Sequence, residues 1–258
     1  MAARHKRLIT QLGLLATLLG MWEMVAATGH IDPFFFPRPS EIASRVAEWV
    51  VDADLYEHFA ITLFETLMGY GIGTFLGITT GVFLALSPRI AEVLDPFIKA
   101  LNAVPRVVLA PLFVLWFGLG VWSKVALAVT LVFFVTFFNA YQGVKQVNPV
   151  IVNNARILGA GQRSLLRHVY LPAAESWILS SLRASVGFAI IGAIIGEYLG
   201  SSAGLGHVIA QAEGLFDATG VFAGIVVLAA FVLVLDRLLD LVEHRLIAWR
   251  PNAVADDR

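Results

Sequence analysis

The segment Gly200-Ser201-Ser202-Ala203-Gly204 carries the Gly-x-Ser-x-Gly spacing of a nucleophile elbow. That chemistry needs a serine on a sharp turn with a strand before it and a helix after it. Here a long apolar run with helical character precedes the motif, so no hydrolase is expected. No Gly-x-x-x-x-Gly-Lys-Ser/Thr stretch exists to cradle nucleotide phosphates. The 6 histidines are scattered without metal-ligand spacing, and cysteine is absent. No catalytic residue, metal ligand or cofactor site is therefore expected. What remains is chemistry of solvation. Glu23, Glu65, Arg183, Glu197 and Asp236 fall inside apolar runs, where an ionisable group is costly and tends to face a cavity or a partner. Arg183 and Glu197 lie near span ends and could instead reach an interface. Thr136, Asn139, Ser181 and Ser185, with Glu197, are the candidate lining of a polar path. Hydroxyls and amides can bond a passing solute without the desolvation penalty of a fixed charge.

The elements that would hold such a path are membrane spans. Hydrophobic residues make up 58% of the 258 and charged residues 14%, against roughly half and a quarter in soluble domains. The expected fold class is an all-α membrane protein of about six transmembrane helices, at 8–28, 59–86, 90–121, 125–144, 177–199 and 221–247. Pro105 and Pro111 interrupt the third. The division expected is a tail at 1–7, a transmembrane domain at 8–247 and a tail at 248–258. Val25-Ala26-Ala27 offers a signal-peptidase pattern, but the apolar run is long enough to span, so a retained first helix is expected. Arg4, Lys6, Arg7, Arg89, Lys99, Arg106, Lys145, Arg156, Arg163, Arg167, Arg237, Arg245, Arg250 and Arg258 gather on one side and Arg38, Arg45 and Lys124 on the other. By the positive-inside rule both termini lie in the cytoplasm. No basic tail for nucleic acid is present.

Two patterns speak to packing. Gly69, Gly73, Gly77 and Gly81 recur at every fourth residue of the second span, with Ala85 continuing the row. Such a stripe lets another backbone approach closely, in the same chain or in a dimer mate. Gly192, Gly196 and Gly200 form a shorter row. In the first external loop, 41–50 has helical periodicity after Ser40, a candidate N-cap, which predicts a short amphipathic helix at the interface.

Between the fourth and fifth spans lies a polar, basic insert, 145–176. Asn148-Pro149 opens it, helix-favouring sequence runs to Leu158, and Gly159 and Gly161 flank a break where left-handed backbone is cheap. A second helical run covers 164–170, and Leu171-Pro172 is expected to end it. Ile157, Leu158, Leu165, Leu166 and Val169 would form an apolar face. The basic charge could hold such a loop near anionic membrane lipids; a helix, a sharp turn and anchored ends could equally dock a soluble partner.

Asn153-Asn154-Ala155-Arg156, Gly159-Ala160, Arg163 and Leu171-Pro172 resemble the cytoplasmic loop of binding-protein-dependent ABC importer permeases. Ala155, Gly159, Leu171 and Pro172 fall at matching positions; Asn153 stands where that family usually has Glu. Phe36-Pro37-Arg38-Pro39-Ser40-Glu41, Pro105 to Pro111, Trp116-Phe117-Gly118-Leu119-Gly120, Glu197-Tyr198-Leu199-Gly200 and Gly204-Leu205-Gly206 look like its nitrate/sulfonate/taurine branch. The resemblance implies the type I importer permease fold, with two ATPase subunits docking on the loop, an external solute-binding protein and a second permease copy, most simply a homodimer. It further implies import of a small anion such as a sulfonate, nitrate or aromatic acid, with heterocyclic vitamin precursors also handled by similar permeases. ATP hydrolysis would belong to the partner subunits. The alternatives are an ATP-independent secondary transporter or channel, or a receptor whose loop docks a signalling protein. A self-sufficient carrier has no need of such a loop.

Overall fold

The structure, a computed structural model, describes residues 2–29, 31–51 and 54–246. Its helices in chain order are α1 (Ala2–Ala27), α2 (Pro39–Val51), α3 (Asp54–Leu86), α4 (Pro88–Ala103), α5 (Ala110–Phe117), α6 (Val121–Lys145), α7 (Pro149–Ile157), α8 (Gln162–Leu165), α9 (Leu171–Gly200), α10 (Leu205–Gly214) and α11 (Ala218–Leu246). A 3-10 turn, Arg106–Leu109, leads into α5, and a π-helical turn, Leu166–Tyr170, joins α8 to α9. Runs long and apolar enough to cross a membrane are Ile9–Ala27, Leu55–Leu86, Val121–Lys145, Gln162–Gly214 and Ala218–Leu238. The third expected span is a broken one, Pro88–Ala103 followed by Arg106–Phe117, bent by 88°. Pro105 has no N–H to continue the ladder, and Val104 before it is extended, with φ −68° and ψ 125°. The helix α1 begins at Ala2, so residues 2–7 continue the first helix where a tail was expected. The tail expected at 248–258 lies outside the described residues.

The chain divides into two compact units, residues 1–55 with 211–258, and residues 56–210. In the first unit, α2 starts one residue before Ser40, which is therefore not its N-cap. Arg38 takes that place: its N–H donates to Glu41 Oε2 at 3.1 Å, the backward half of a capping box. Glu23 of α1 accepts from the Ser40 N–H at 3.0 Å and its hydroxyl at 2.8 Å. An acid inside an apolar helix thus satisfies two donors of a helix start rather than pairing with a cation. Asp217 caps α11 by accepting the Gly220 N–H at 2.9 Å, and its other oxygen takes Arg45 of α2 at 2.7 Å.

In the second unit α6 is the central rod, with α3 on one side and α9 on another. The α3 glycine row faces α6. A Cβ on Gly73 would meet Val132 Cβ at 2.7 Å, one on Gly77 the Phe133 carbonyl at 2.6 Å, and one on Gly81 the Phe137 carbonyl at 2.6 Å. Gly69 lies against Ala128, with the alanine Cα 3.5 Å from where a Cβ would sit. The α9 row does the same: Gly192 meets the backbone N of Ala128 at 2.9 Å and Gly196 the Lys124 Cγ at 2.9 Å. Ala128, fully buried, is the point where three backbones converge. With no hydrophobic drive between helices in lipid, this closeness of approach supplies the attraction. Both rows therefore make contacts within one chain.

Candidate functional site

The insert between α6 and α9 is built from local signals. The Asn148 side chain accepts the Val150 N–H at 2.9 Å and Pro149 occupies the first turn, where its missing N–H is no loss. At the other end α7 closes in a Schellman motif. The Ala160 N–H donates to the Ala155 carbonyl at 3.0 Å and the Gly159 N–H to the Arg156 carbonyl at 2.9 Å. Gly159 has φ +87°, a conformation open to glycine and strained for other residues. The spacing Ala155 to Gly159-Ala160 is therefore the spacing of a helix stop. Gly161, at φ −73° and ψ 170°, is ordinary extended backbone, so only one of the two glycines uses its freedom.

Leu171-Pro172 does not end the second helix, contrary to expectation. The chain widens into the π turn, with the Leu171 N–H donating to the Leu166 carbonyl, and runs on into α9 without a stop. Widening moves the preceding carbonyls off the proline ring, which a regular α-helix would force together. The expected apolar face is also split. Leu165 is buried, whereas Ile157 is 83% and Leu158 86% exposed at the tip of the turn. Asn153, Asn154, Arg156 and Arg163 are exposed around them; Ala155 and Ala160 are half-buried. A rigid lever tipped by two bare apolar side chains and ringed by polar ones can dock a groove on a soluble partner.

The candidate path residues are placed differently from expectation. Thr136 is fully buried in the α3–α6 seam, its hydroxyl donating to the Val132 and Phe133 carbonyls at 3.0 and 3.1 Å. Ser185 donates to the Ser181 carbonyl at 2.6 Å and Ser181 to the Ile178 carbonyl at 2.7 Å; both are buried. Short hydroxyl side chains in a helix satisfy themselves on the preceding turn, and all three are closed off in this conformation. Asn139 is half-buried, its amide donating to the Val135 carbonyl at 2.8 Å.

Glu197 is fully buried and organises a polar clasp. It accepts from Thr62 Oγ1 at 2.6 Å and from the Gly206 N–H at 2.7 Å. Thr62 Oγ1 in turn accepts the Leu205 N–H at 2.9 Å, and His58 Nδ1 the Gly204 N–H at 3.0 Å. Gly204 has φ +108°, and a Cβ there would lie 2.7 Å from Glu197 Oε2. Glu197 and Gly204-Leu205-Gly206 are thus one device, tying the ends of α3 and α9 to the start of α10. Glu65 and Lys124 are buried beside it. Lys124 was expected in an external loop. It lies in the first turn of α6, its ammonium bonded to the Leu119 and Gly120 carbonyls. Its place four residues into a run long and apolar enough to span was the available signal. Among the described residues no cluster of side chains fit to hold a metal ion occurs.

Residues 73–248 match the family of binding-protein-dependent transport system inner membrane components. The aliphatic sulfonates transport permease protein SsuC of Bacillus subtilis is 32% identical over 235 residues, 91% of this chain and 85% of the relative. The formylaminopyrimidine transport permease protein ThiX of Halalkalibacterium halodurans is 32% identical over 233 residues, 90% of this chain and 92% of the relative. Among solved structures, an inward-facing form of the MetNI methionine ABC transporter superposes with a TM-score of 0.63, covering 75% of this chain and 94% of that one at 16% identity. That likeness establishes the fold. The chain belongs to the binding-protein-dependent transport system inner membrane components, and is the membrane-spanning permease subunit of an ABC importer.

Proposed function

We propose that two copies of this permease form a homodimer that imports a small anion, each copy docking one ATPase subunit on 153–170. The observation that carries the docking is the exposed pair Ile157 and Leu158 on a turn locked by Gly159. The termini and the loop 145–176 lie on the ATPase side in this reading, supported by the gathering of Lys and Arg there. ATP binding draws the two levers together and turns the passage outward; the partners' unequal affinities for the two states drive the switch. Because α9 continues unbroken from the π turn, a displacement of the loop is carried straight into the span that packs on α6. Asn139, half-buried on α6, remains the candidate lining residue.

The anion reading draws on the sulfonate relative. The pyrimidine relative favours a second reading, import of a heterocyclic vitamin precursor, at equal identity. Uptake of a labelled alkanesulfonate, nitrate, an aromatic carboxylate and a formylaminopyrimidine by cells expressing the complete transporter decides between them. Uptake of an anion supports the first reading; uptake of the pyrimidine alone replaces it with the second.

A further inference from the structure

Arg106 was expected among the basic residues flanking the spans. The structure puts it at the break between α4 and the 106–117 run, with its guanidinium carbon 4.1 Å from the centre of the Phe134 ring. Phe134 lies along α6 about 20 Å from the Val121 end and about 17 Å from the Lys145 end, at roughly 1.5 Å per residue. The ring fixes the charged head itself at that level, near mid-depth, too far from either surface for snorkelling to a headgroup.

Its contacts are all to neutral acceptors: the Leu101 carbonyl at 2.6 Å, the Asn102 carbonyl at 3.3 Å and Asn102 Oδ1 at 3.0 Å. Among the described residues it forms no ion pair; the recorded pairs belong to Arg38, Arg45 and Lys99. Three contacts leave at least two of the five guanidinium N–H donors for another ligand. The side chain is only half-buried, so it opens onto space. A charge kept at mid-depth without a counter-ion marks a solute pathway by default. The half-buried face, the aromatic backing and the two remaining N–H donors, one on Nε and one on Nη1, suit the oxygens of an anionic headgroup such as a sulfonate or carboxylate.

We propose that Arg106 is the anion-binding residue of the passage, receiving the headgroup of the solute midway across the membrane. This rests on the anion reading above. Asn102 is a positioning residue, holding the guanidinium across the helix break.

The test has two arms, both on the complete transporter with its ATPase and binding protein in liposomes. The chain has no cysteine, so Arg106→Cys gives it a single thiol, and labelling is read on the permease band alone. The membrane-impermeant reagent 2-sulfonatoethyl methanethiosulfonate, itself a sulfonate, should label it as it labels the exposed control Leu215→Cys. An unlabelled Arg106→Cys beside a labelled control places the side chain against lipid and overturns the proposal. In the second arm, uptake of a labelled alkanesulfonate is measured at saturating loaded binding protein. Arg106→Gln should lower the rate about tenfold or more, the effect expected for losing a charged hydrogen bond, with ATP hydrolysis still stimulated. Arg106→Lys should fall between, keeping charge but not the planar set of guanidinium donors. Equal loss in both variants, or wild-type uptake by Arg106→Gln, overturns the proposal alone. A wild type that carries no anion overturns the anion reading and this proposal together.

Discussion

Replacing Gly77 isolates what the close approach of α3 to α6 contributes. A Cβ at this position would lie 2.6 Å from the Phe133 carbonyl oxygen and 3.0 Å from the Phe137 backbone N. Ordinary carbon contacts begin near 3.5 Å, so the two helices must part by about 1 Å. These two atoms are backbone and cannot rotate away; the Thr136 hydroxyl, nearer still, stands in the same space. Overpacking of this kind costs about 1–3 kcal/mol, and separating the helices also weakens the neighbouring contacts at Gly73 and Gly81. Gly71, on the same helix, meets nothing within 4 Å. Gly71→Ala should be neutral or slightly stabilising through helix propensity, worth up to about 1 kcal/mol. The assay is thermal or denaturant unfolding of purified protein in mild detergent, comparing Gly77→Ala and Gly77→Ile with the matched pair at Gly71. The expected order is a clear loss for Gly77→Ala, a larger one for Gly77→Ile, and little change at Gly71. Equal stability at the two positions would refute the reasoning, because only the packing differs between them.

Other expected outcomes follow from single contacts. Gly159→Val forces a β-branched residue into a left-handed conformation, about 1–2 kcal/mol of local strain; the protein should insert normally while ATP hydrolysis separates from uptake, and wild-type coupling would count against the lever. Glu197→Ala leaves the Gly206 N–H buried without its acceptor, about 1–3 kcal/mol, lowering the unfolding midpoint and loosening the α10 start, read by hydrogen exchange at 204–206. Asp217→Ala removes the α11 cap, about 1 kcal/mol, and the partly exposed Arg45 pair, which adds less than about 1 kcal/mol; an unchanged midpoint would mean water replaces both.

What could be read in the sequence was what is written in local spacing. The glycine rows appear at every fourth residue because helical geometry aligns them on one stripe. The stop at Gly159 was visible because a left-handed backbone asks for glycine. Five runs long enough to span followed from apolar length, and the break in the remaining one, a pair of helices bent by 88°, was marked by Pro105. Other features had less of a local signal. Thr136, Ser181 and Ser185 look like lining groups by type, and in the structure each hydroxyl is bonded to a carbonyl three or four residues back. Leu171-Pro172 looks like a stop, but a π turn absorbs the ring, and nothing in the residue types announces one. Lys124 was assigned to an external loop because the expected spans stopped at 121 and resumed at 125, although it can enter the bundle once carbonyls at a helix start receive it. Glu197 and Thr62 are 135 residues apart, so their bond is a product of tertiary packing and has no trace in any local window.

The docking of the loop is tested most directly by a cross-link from its tip. Leu158→Cys in this otherwise cysteine-free chain, joined by a short thiol-reactive linker, should capture the ATPase subunit in the assembled transporter, with a yield that changes between the nucleotide-free and ATP-bound states. A variant that transports normally yet never cross-links to the ATPase in either state would contradict the assignment of 153–170 as the lever.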